Sequence, residues 1–325
     1  MEGLPKIDLL ESLLQNYMFD IDGAIAVAIC DRDGFIIASN SKEKSGAESD
    51  SLLGAISAFL DVYIDRIKKE FQTQSNFFNI TSMQDKKFAY CSMGSHSILT
   101  TIADPTTSNL ELRIYSEYIA GKVELVLDGV DNVSTEIPEI VRVLSRRREG
   151  KLPKGEFTSK VILTGDFGVG KSSIIKRFIE NLFKDSYIAT IGVEISKKAV
   201  VMEEETIINF ILWDIGGQVG QIAPYRHRFY EGASAAFIVI DRTRPNNLES
   251  VKIWVKDIKE SVPHNIPVVI IGNKSDLKEE LEISEEEIKI LAEELGFHYI
   301  LTSCKTGENV HEAFLYIAYR FIEKA

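Results

Sequence analysis

Val161-Ile162-Leu163-Thr164-Gly165-Asp166-Phe167-Gly168-Val169-Gly170-Lys171-Ser172 is the stretch on which the fold turns. A short apolar run leads into a glycine-rich loop, and a segment of helical periodicity opens at Lys171. Glycines let successive backbone N–H groups turn toward one anion, and the start of a helix adds favourable partial charge. Strand, Gly-x4-Gly-Lys-Ser and helix together spell a phosphate-binding loop; the bland alternative, a Gly-rich turn with no ligand, has no need of that setting. The reading gives the backbone of residues 165–170 and the Lys171 amine to nucleotide phosphates. It gives the Ser172 hydroxyl to Mg²⁺ and counts Ser173 with the nucleotide-binding residues.

From Lys160 onward, apolar runs at 161–163, 206–213, 235–240, 268–271 and 299–301 alternate with helical segments. Continuous apolar runs suit strands buried on both faces, so residues 158–325 predict an α/β domain with a doubly wound, mainly parallel sheet. Ligands of such sheets sit at the carboxyl ends of the strands, and two further polar loops fall there. Trp213-Asp214-Ile215-Gly216-Gly217-Gln218 closes the second run. There Asp214 suits the Mg²⁺ shell, Gly217 a backbone N–H to a γ-phosphate, and Gln218 the orientation of an attacking water. Asn273-Lys274-Ser275-Asp276 closes the fourth run. The Asp276 carboxylate matches two neighbouring donors on guanine, whereas adenine would leave it unpaired at about 1–3 kcal/mol. Ser303-Cys304-Lys305, after the fifth run, is placed to brace the base and support Asp276.

With these loops in hand, residues 158–325 resemble the Ras superfamily of small GTPases. Tyr187-Ile188-Ala189-Thr190-Ile191-Gly192-Val193-Glu194 is most similar to the Rab branch, whereas Gly216-Gly217 before Gln218 is more like the Arf branch. The resemblance implies GTP and GDP as ligands, Mg²⁺ as cofactor, and effector or regulator proteins at the segments around Thr190 and Gln218. It implies that Thr190 ligates Mg²⁺ and donates its N–H to the γ-phosphate, with Lys171, Thr190 and Gln218 as the catalytic set. Phe183 would pack on the base, against the alternative of a helix-end core residue. Phe167 departs from the family's pattern, in which that position is small. Its ring either crowds the γ-phosphate and slows hydrolysis or folds outward over the loop. Lys184-Asp185-Ser186-Tyr187 offers no arginine just upstream of Thr190, so intrinsic hydrolysis is expected on the order of 10⁻⁴ to 10⁻² s⁻¹ without charge from a partner.

At 325 residues the chain predicts two domains of ordinary size. A net charge of -12 argues against a nucleic-acid partner, which needs clustered Lys and Arg. The one basic run, Arg146-Arg147-Arg148, reads as a solvated helix end, against the alternative of a minor docking role for an anionic surface. Cys30, Cys91 and Cys304 lack Cys-x-x-Cys pairing and read as reduced thiols of a cytoplasmic protein. Neither a membrane-spanning run nor a lipidation motif is seen, so no intrinsic membrane anchor is expected.

Residues 1–128 read as helix, two strands, long helix, three strands and helix, an α+β domain with an antiparallel sheet. Asp31-Arg32-Asp33-Gly34 between two apolar runs predicts a hairpin. Residues 51–71 carry apolar side chains at helical spacing, Tyr63 among them. Asp31 through Ser39, together with Gly94-Ser95-His96-Ser97-Ile98-Leu99-Thr100, resembles a roadblock domain, a small module related to longin domains. That resemblance implies a homodimer and pairing with small GTPases; His96 reads as an ordinary loop residue. Residues 129–157 predict a linker with a helix and a flexible joint. The expected function is a GTP-binding switch hydrolysing GTP slowly to GDP and phosphate, with an N-terminal dimerisation or regulatory domain. The alternative is a non-hydrolysing GTP-dependent scaffold assembled by that domain. An ATP-using enzyme on the same loop is disfavoured by Asp276.

Overall fold

The computed structural model describes residues 7–31, 33–42, 54, 62–64, 66, 69–70, 77–93, 97–130, 133–146, 152–181, 183, 192–202, 206–216 and 226–323. The chain divides into two compact units, residues 1–137 with 141–149, and residues 138–140 with 150–325.

In the first unit α1 (Ile7–Asp20) precedes the hairpin β1 (Ala24–Asp31) and β2 (Ile36–Ser41), and then come β3 (Phe78–Ser82), β4 (Lys87–Met93), β5 (Ser97–Ala103) and α2 (Asn109–Leu127). Among the described residues the sheet has five strands in the order β2-β1-β5-β4-β3, every neighbouring pair antiparallel. The hairpin turn is set by Asp31, whose Oδ1 accepts from the N–H groups of Asp33 (3.0 Å) and Phe35 (2.8 Å), while Gly34 takes φ 86°. α1 buries Leu10, Leu13, Leu14, Tyr17 and Met18, and Tyr17 meets Tyr115 of α2 edge to face at 6.3 Å. Of segment 51–71, Gly54, residues 62–64, Arg66 and residues 69–70 are described and helical; Ile64 is buried, but Tyr63 is 53% exposed, which corrects its expected place on the apolar side. The rest of that segment and His96 lie outside the described residues. A short helix, α3 (Glu139–Ser145), falls where the division between the units runs.

The second unit contains β6 (Gly155–Thr164), α4 (Lys171–Glu180), β7 (Val193–Val201), β8 (Thr206–Ile215), α5 (Arg226–Tyr230), β9 (Ala235–Asp241), α6 (Asn246–Ser261), β10 (Val268–Asn273), α7 (Glu285–Leu295), β11 (His298–Leu301) and α8 (Val310–Ile322). Its sheet runs β11-β10-β9-β6-β8-β7, parallel except where β7 meets β8. β9 and β10 are buried along their whole length, as parallel strands covered on both faces must be. The edge strand β7 is not among the expected apolar runs: its burial alternates, and Glu194, Lys197 and Ala199 face solvent. β6 begins at Gly155, inside the segment expected as a joint, because residues 155–158 pair with residues 206–209 of β8 although they carry no apolar run. The chain builds β7 and β8 on one side of β6 and then crosses to β9 on the other, so the switch point of the sheet lies at the end of β6.

Candidate nucleotide-binding site

Thr164 ends β6 wholly buried, its hydroxyl 2.7 Å from that of Tyr230. The loop then turns through Gly165 (φ 137°), Gly168 (φ 77°) and Gly170 (φ 103°), backbone conformations that L side chains rarely adopt. Close packing reinforces the demand at Gly165, where a Cβ would collide with the carbonyl of Val239. Gly170 is the N-cap of α4 and provides no side-chain cap, a kind of helix start that suits an anion. α4 is anchored below by Phe178, stacked on Phe314 of α8 with ring centroids 3.7 Å apart.

The first two side chains of α4 point back into the loop. Lys171 is 6% exposed and donates to the carbonyls of Gly165 and Asp166, both at 2.8 Å. Burial pushes its amine down to about 8, against the opposing pull of Asp214 and Asp166. An anion set beside it would raise it again. The Ser172 hydroxyl donates to Oδ2 of Asp214, at the end of β8. A hydroxyl and a carboxylate brought together are hard oxygen donors of the type Mg²⁺ takes when phosphates and water complete its shell, so these residues fit that ion. Among the described residues no group of three or more His, Cys, Asp or Glu forms a separate metal cluster. Ser173 is half-buried on the first turn of α4, Val169 is wholly buried, and Phe167 is 42% exposed.

The base-side loop joins the phosphate loop directly. Asn273, 2% exposed, donates from Nδ2 to the carbonyl of Val169 (2.8 Å) and accepts at Oδ1 from the Thr302 hydroxyl (3.1 Å) and the Cys304 thiol (3.3 Å). Ser303 donates to Oδ1 of Asp276 at 2.7 Å, which orients that carboxylate. Cys304 is buried, and burial pushes its thiol up to about 12. Lys305 is exposed, and Phe183 is half-buried. Thr190, Gly217 and Gln218 lie outside the described residues.

The structure also brings in residues that motif reading passed over. Arg177 of α4 donates from Nε to the Cys304 carbonyl at 2.7 Å and from Nη2 to that of Lys305, clamping the outer carbonyls of that loop. The Asp166 carboxylate accepts from Trp254 Nε1 (3.0 Å) and Asn247 Nδ2 (2.8 Å), which ties the phosphate loop to α6. Asp241, at the end of β9, pairs with Lys274 at 2.6 Å and with Arg244 at 3.1 Å. A polar run closing a buried parallel strand was the available signal in Asp241-Arg242-Thr243-Arg244.

A phosphate loop at the switch point, an oxygen pair at the end of the adjoining strand and a base-side loop two strands away define a P-loop nucleotide-binding domain. Comparison with known proteins narrows the class. The Ras family model matches residues 160–323. Ras-related protein Rab-22A of Homo sapiens is 39% identical over 163 residues, which cover 50% of this chain and 82% of that protein. Ras-related protein RABD2b of Arabidopsis thaliana is 35% identical over 163 residues, covering 50% of this chain and 80% of the relative. GTP-binding protein YPTM2 of Zea mays is 35% identical over 166 residues, covering 51% and 81%. The chain belongs to the Ras family. It is therefore a GTPase, an enzyme that binds GTP and GDP with Mg²⁺ and hydrolyses GTP. No helix among the described residues is long and apolar enough to cross a membrane.

Proposed function

We propose that the chain is a slow GTP-dependent switch whose C-terminal unit, residues 158–325, holds the nucleotide in three loops and whose N-terminal unit, residues 1–128, is a roadblock-like module that pairs with a second copy. One observation carries the nucleotide reading. Hydrogen bonds from Ser172 to Asp214 and from Asn273 to Val169 draw the metal-side and base-side loops onto the same phosphate loop. In this reading Lys171 neutralises the β- and γ-phosphates, and the backbone of residues 165–170 cradles them. Ser172 and Asp214 hold Mg²⁺ together with Thr190, and Gly217 meets the γ-phosphate. Gln218 orients the attacking water. When bound, the metal ion would screen phosphate charge. Asn273 and Lys274 fix the loop geometry, Asp276 reads the guanine edge, residues 303–305 brace the base, and Phe183 covers it.

Support for the N-terminal reading is topological. A helix, a hairpin, a helical segment, three strands and a helix, with strand order β2-β1-β5-β4-β3, accord with the roadblock resemblance, and β3 stands at the edge of the sheet, half-exposed. An edge strand invites pairing with another copy. Cys30, Cys91 and Cys304 are buried and outside any disulfide, which accords with a reducing, cytoplasmic setting. The switch reading is tested by single-turnover hydrolysis on the full chain: phosphate released slowly from bound GTP, and Gln218→Leu slower still. Bound GTP that yields no phosphate over hours contradicts it. Sedimentation of the full chain tests pairing, with a dimer expected and a monomer at all concentrations against it.

A further inference from the structure

The end of β9 holds a carboxylate with more partners than a strand terminus needs. Asp241 is wholly buried; its Oδ1 accepts from the N–H (3.0 Å) and hydroxyl (2.7 Å) of Thr243. Its Oδ2 faces Lys274 Nζ at 2.6 Å and Arg244 Nε at 3.1 Å. The other arm of the same guanidinium reaches the phosphate loop, where Arg244 Nη1 donates to the Phe167 carbonyl at 2.9 Å. The fork lies so close along Gly168 that a Cβ there would stand 3.3 Å from Nη2 and 3.4 Å from Nη1. One buried acceptor is thus shared by the lysine of the base-side loop and by an arginine seated on the outermost turn of the phosphate loop.

We propose that Asp241 and Arg244 are positioning residues for nucleotide retention: they couple the Phe167–Gly168 turn to Lys274, so that the phosphate-side and base-side loops open together rather than separately. An exposed ion pair contributes little, but here only the arginine is half-exposed, and removing it leaves the wholly buried Asp241 with Lys274 as its one remaining cation among the described residues. The planar fork of arginine serves two acceptors on different elements at once, which a lysine ammonium on a flexible stem does poorly. Asn247 adds a second tie, since its Oδ1 accepts from the Asp241 N–H (3.0 Å) while its Nδ2 holds Asp166.

This inference rests on the phosphate-loop reading above. The test is release of fluorescent GDP and IDP from the full chain, chased with excess GDP, for the unchanged protein and for R244A, R244K and D241N, with thermal melting of the GDP-bound forms as the fold check. IDP lacks the amine that Asp276 reads. R244A is expected to speed release of both nucleotides by the same factor, about tenfold, the scale of one hydrogen bond to a charged group. R244K is expected to stay near R244A, and D241N, which frees Lys274 as well, to release faster still and to narrow the preference for GDP over IDP. Release from R244A within about twofold of the unchanged protein overturns the proposal, as does full rescue by R244K, which would reduce the effect to charge alone. A D241N chain that does not fold leaves R244A and R244K to decide. Failure of the site reading itself looks different: the unchanged protein would not retain GDP.

Discussion

Gly170→Ala tests the junction between the phosphate and base-side loops. Two costs can be worked from the structure. At φ 103° and ψ 20° an alanine backbone is strained by roughly 1–2 kcal/mol. Its Cβ would also collide with Nδ2 of Asn273, whose amide is fixed by Val169 and Thr302. Moving that amide gives up the bonds with Val169 and Thr302, about 1 kcal/mol each, besides the weaker one from the Cys304 thiol. The sum, about 3–4 kcal/mol, corresponds to a fall of roughly 6–16 °C in the melting of a unit of this size. If about 2 kcal/mol of it falls on the bound state, GDP affinity drops about thirtyfold. Gly296→Ala is the control: its φ is 69° and nothing lies within 4 Å of the added Cβ. It should cost about 1 kcal/mol of stability through strain alone, with GDP affinity unchanged. Thermal melting and fluorescent GDP titration measure both. A Gly170→Ala chain that melts and binds like Gly296→Ala refutes the reasoning.

Phe167→Gly should leave single-turnover hydrolysis within about twofold, because the ring is already 42% exposed and the contact with Arg244 runs through the main chain; a large rise would restore the crowding account. Cys91 and Cys304 have thiols raised by burial to about 12 from 9.0. In the unfolded chain they ionise first, so the unfolded state binds fewer protons, and their contribution to stability, full below about pH 9, is lost as pH rises toward about 12. Denaturant melts between pH 8 and pH 10.5 should fall more steeply, or rise less, in the unchanged protein than after both thiols are replaced with serine, because the lowered Lys171 amine and the raised Tyr17 and Tyr316 phenols titrate alike in both.

The second unit was legible where strands are buried on both faces, since residues 235–240 and 268–271 announce themselves as unbroken apolar runs. β7 was missed because an edge strand exposing Glu194 and Lys197 carries no such run, and its pairing with β8 is decided by tertiary contact. The start of β6 was missed for the same reason: residues 155–158 are mostly exposed and are strand only because β8 lies beside them. Lys171, Ser172, Asp214, Asn273 and Asp276 were legible as members of the candidate site because each falls in a polar loop that closes an apolar run, and the structure brings those loops together. Asp241, Arg244 and Arg177 were not, since each acts on the backbone or side chain of another loop, and such a partner is visible only once strand order is known. Tyr63 was misplaced because helical periodicity identifies an apolar face without fixing its edge.

In the proposed function one molecule, a guanine nucleotide, is gripped by the loops that end β6, β8 and β10. Competitive binding of GDP, ADP and XDP to the unchanged protein and to Asp276→Asn tests it most directly, because only the base-side carboxylate changes. The unchanged protein should prefer GDP over both competitors, and Asp276→Asn should shift the preference toward XDP, whose base offers an acceptor where guanine carries its amine. ADP competing on equal terms with GDP, or an Asp276→Asn chain with unaltered selectivity, would contradict the account.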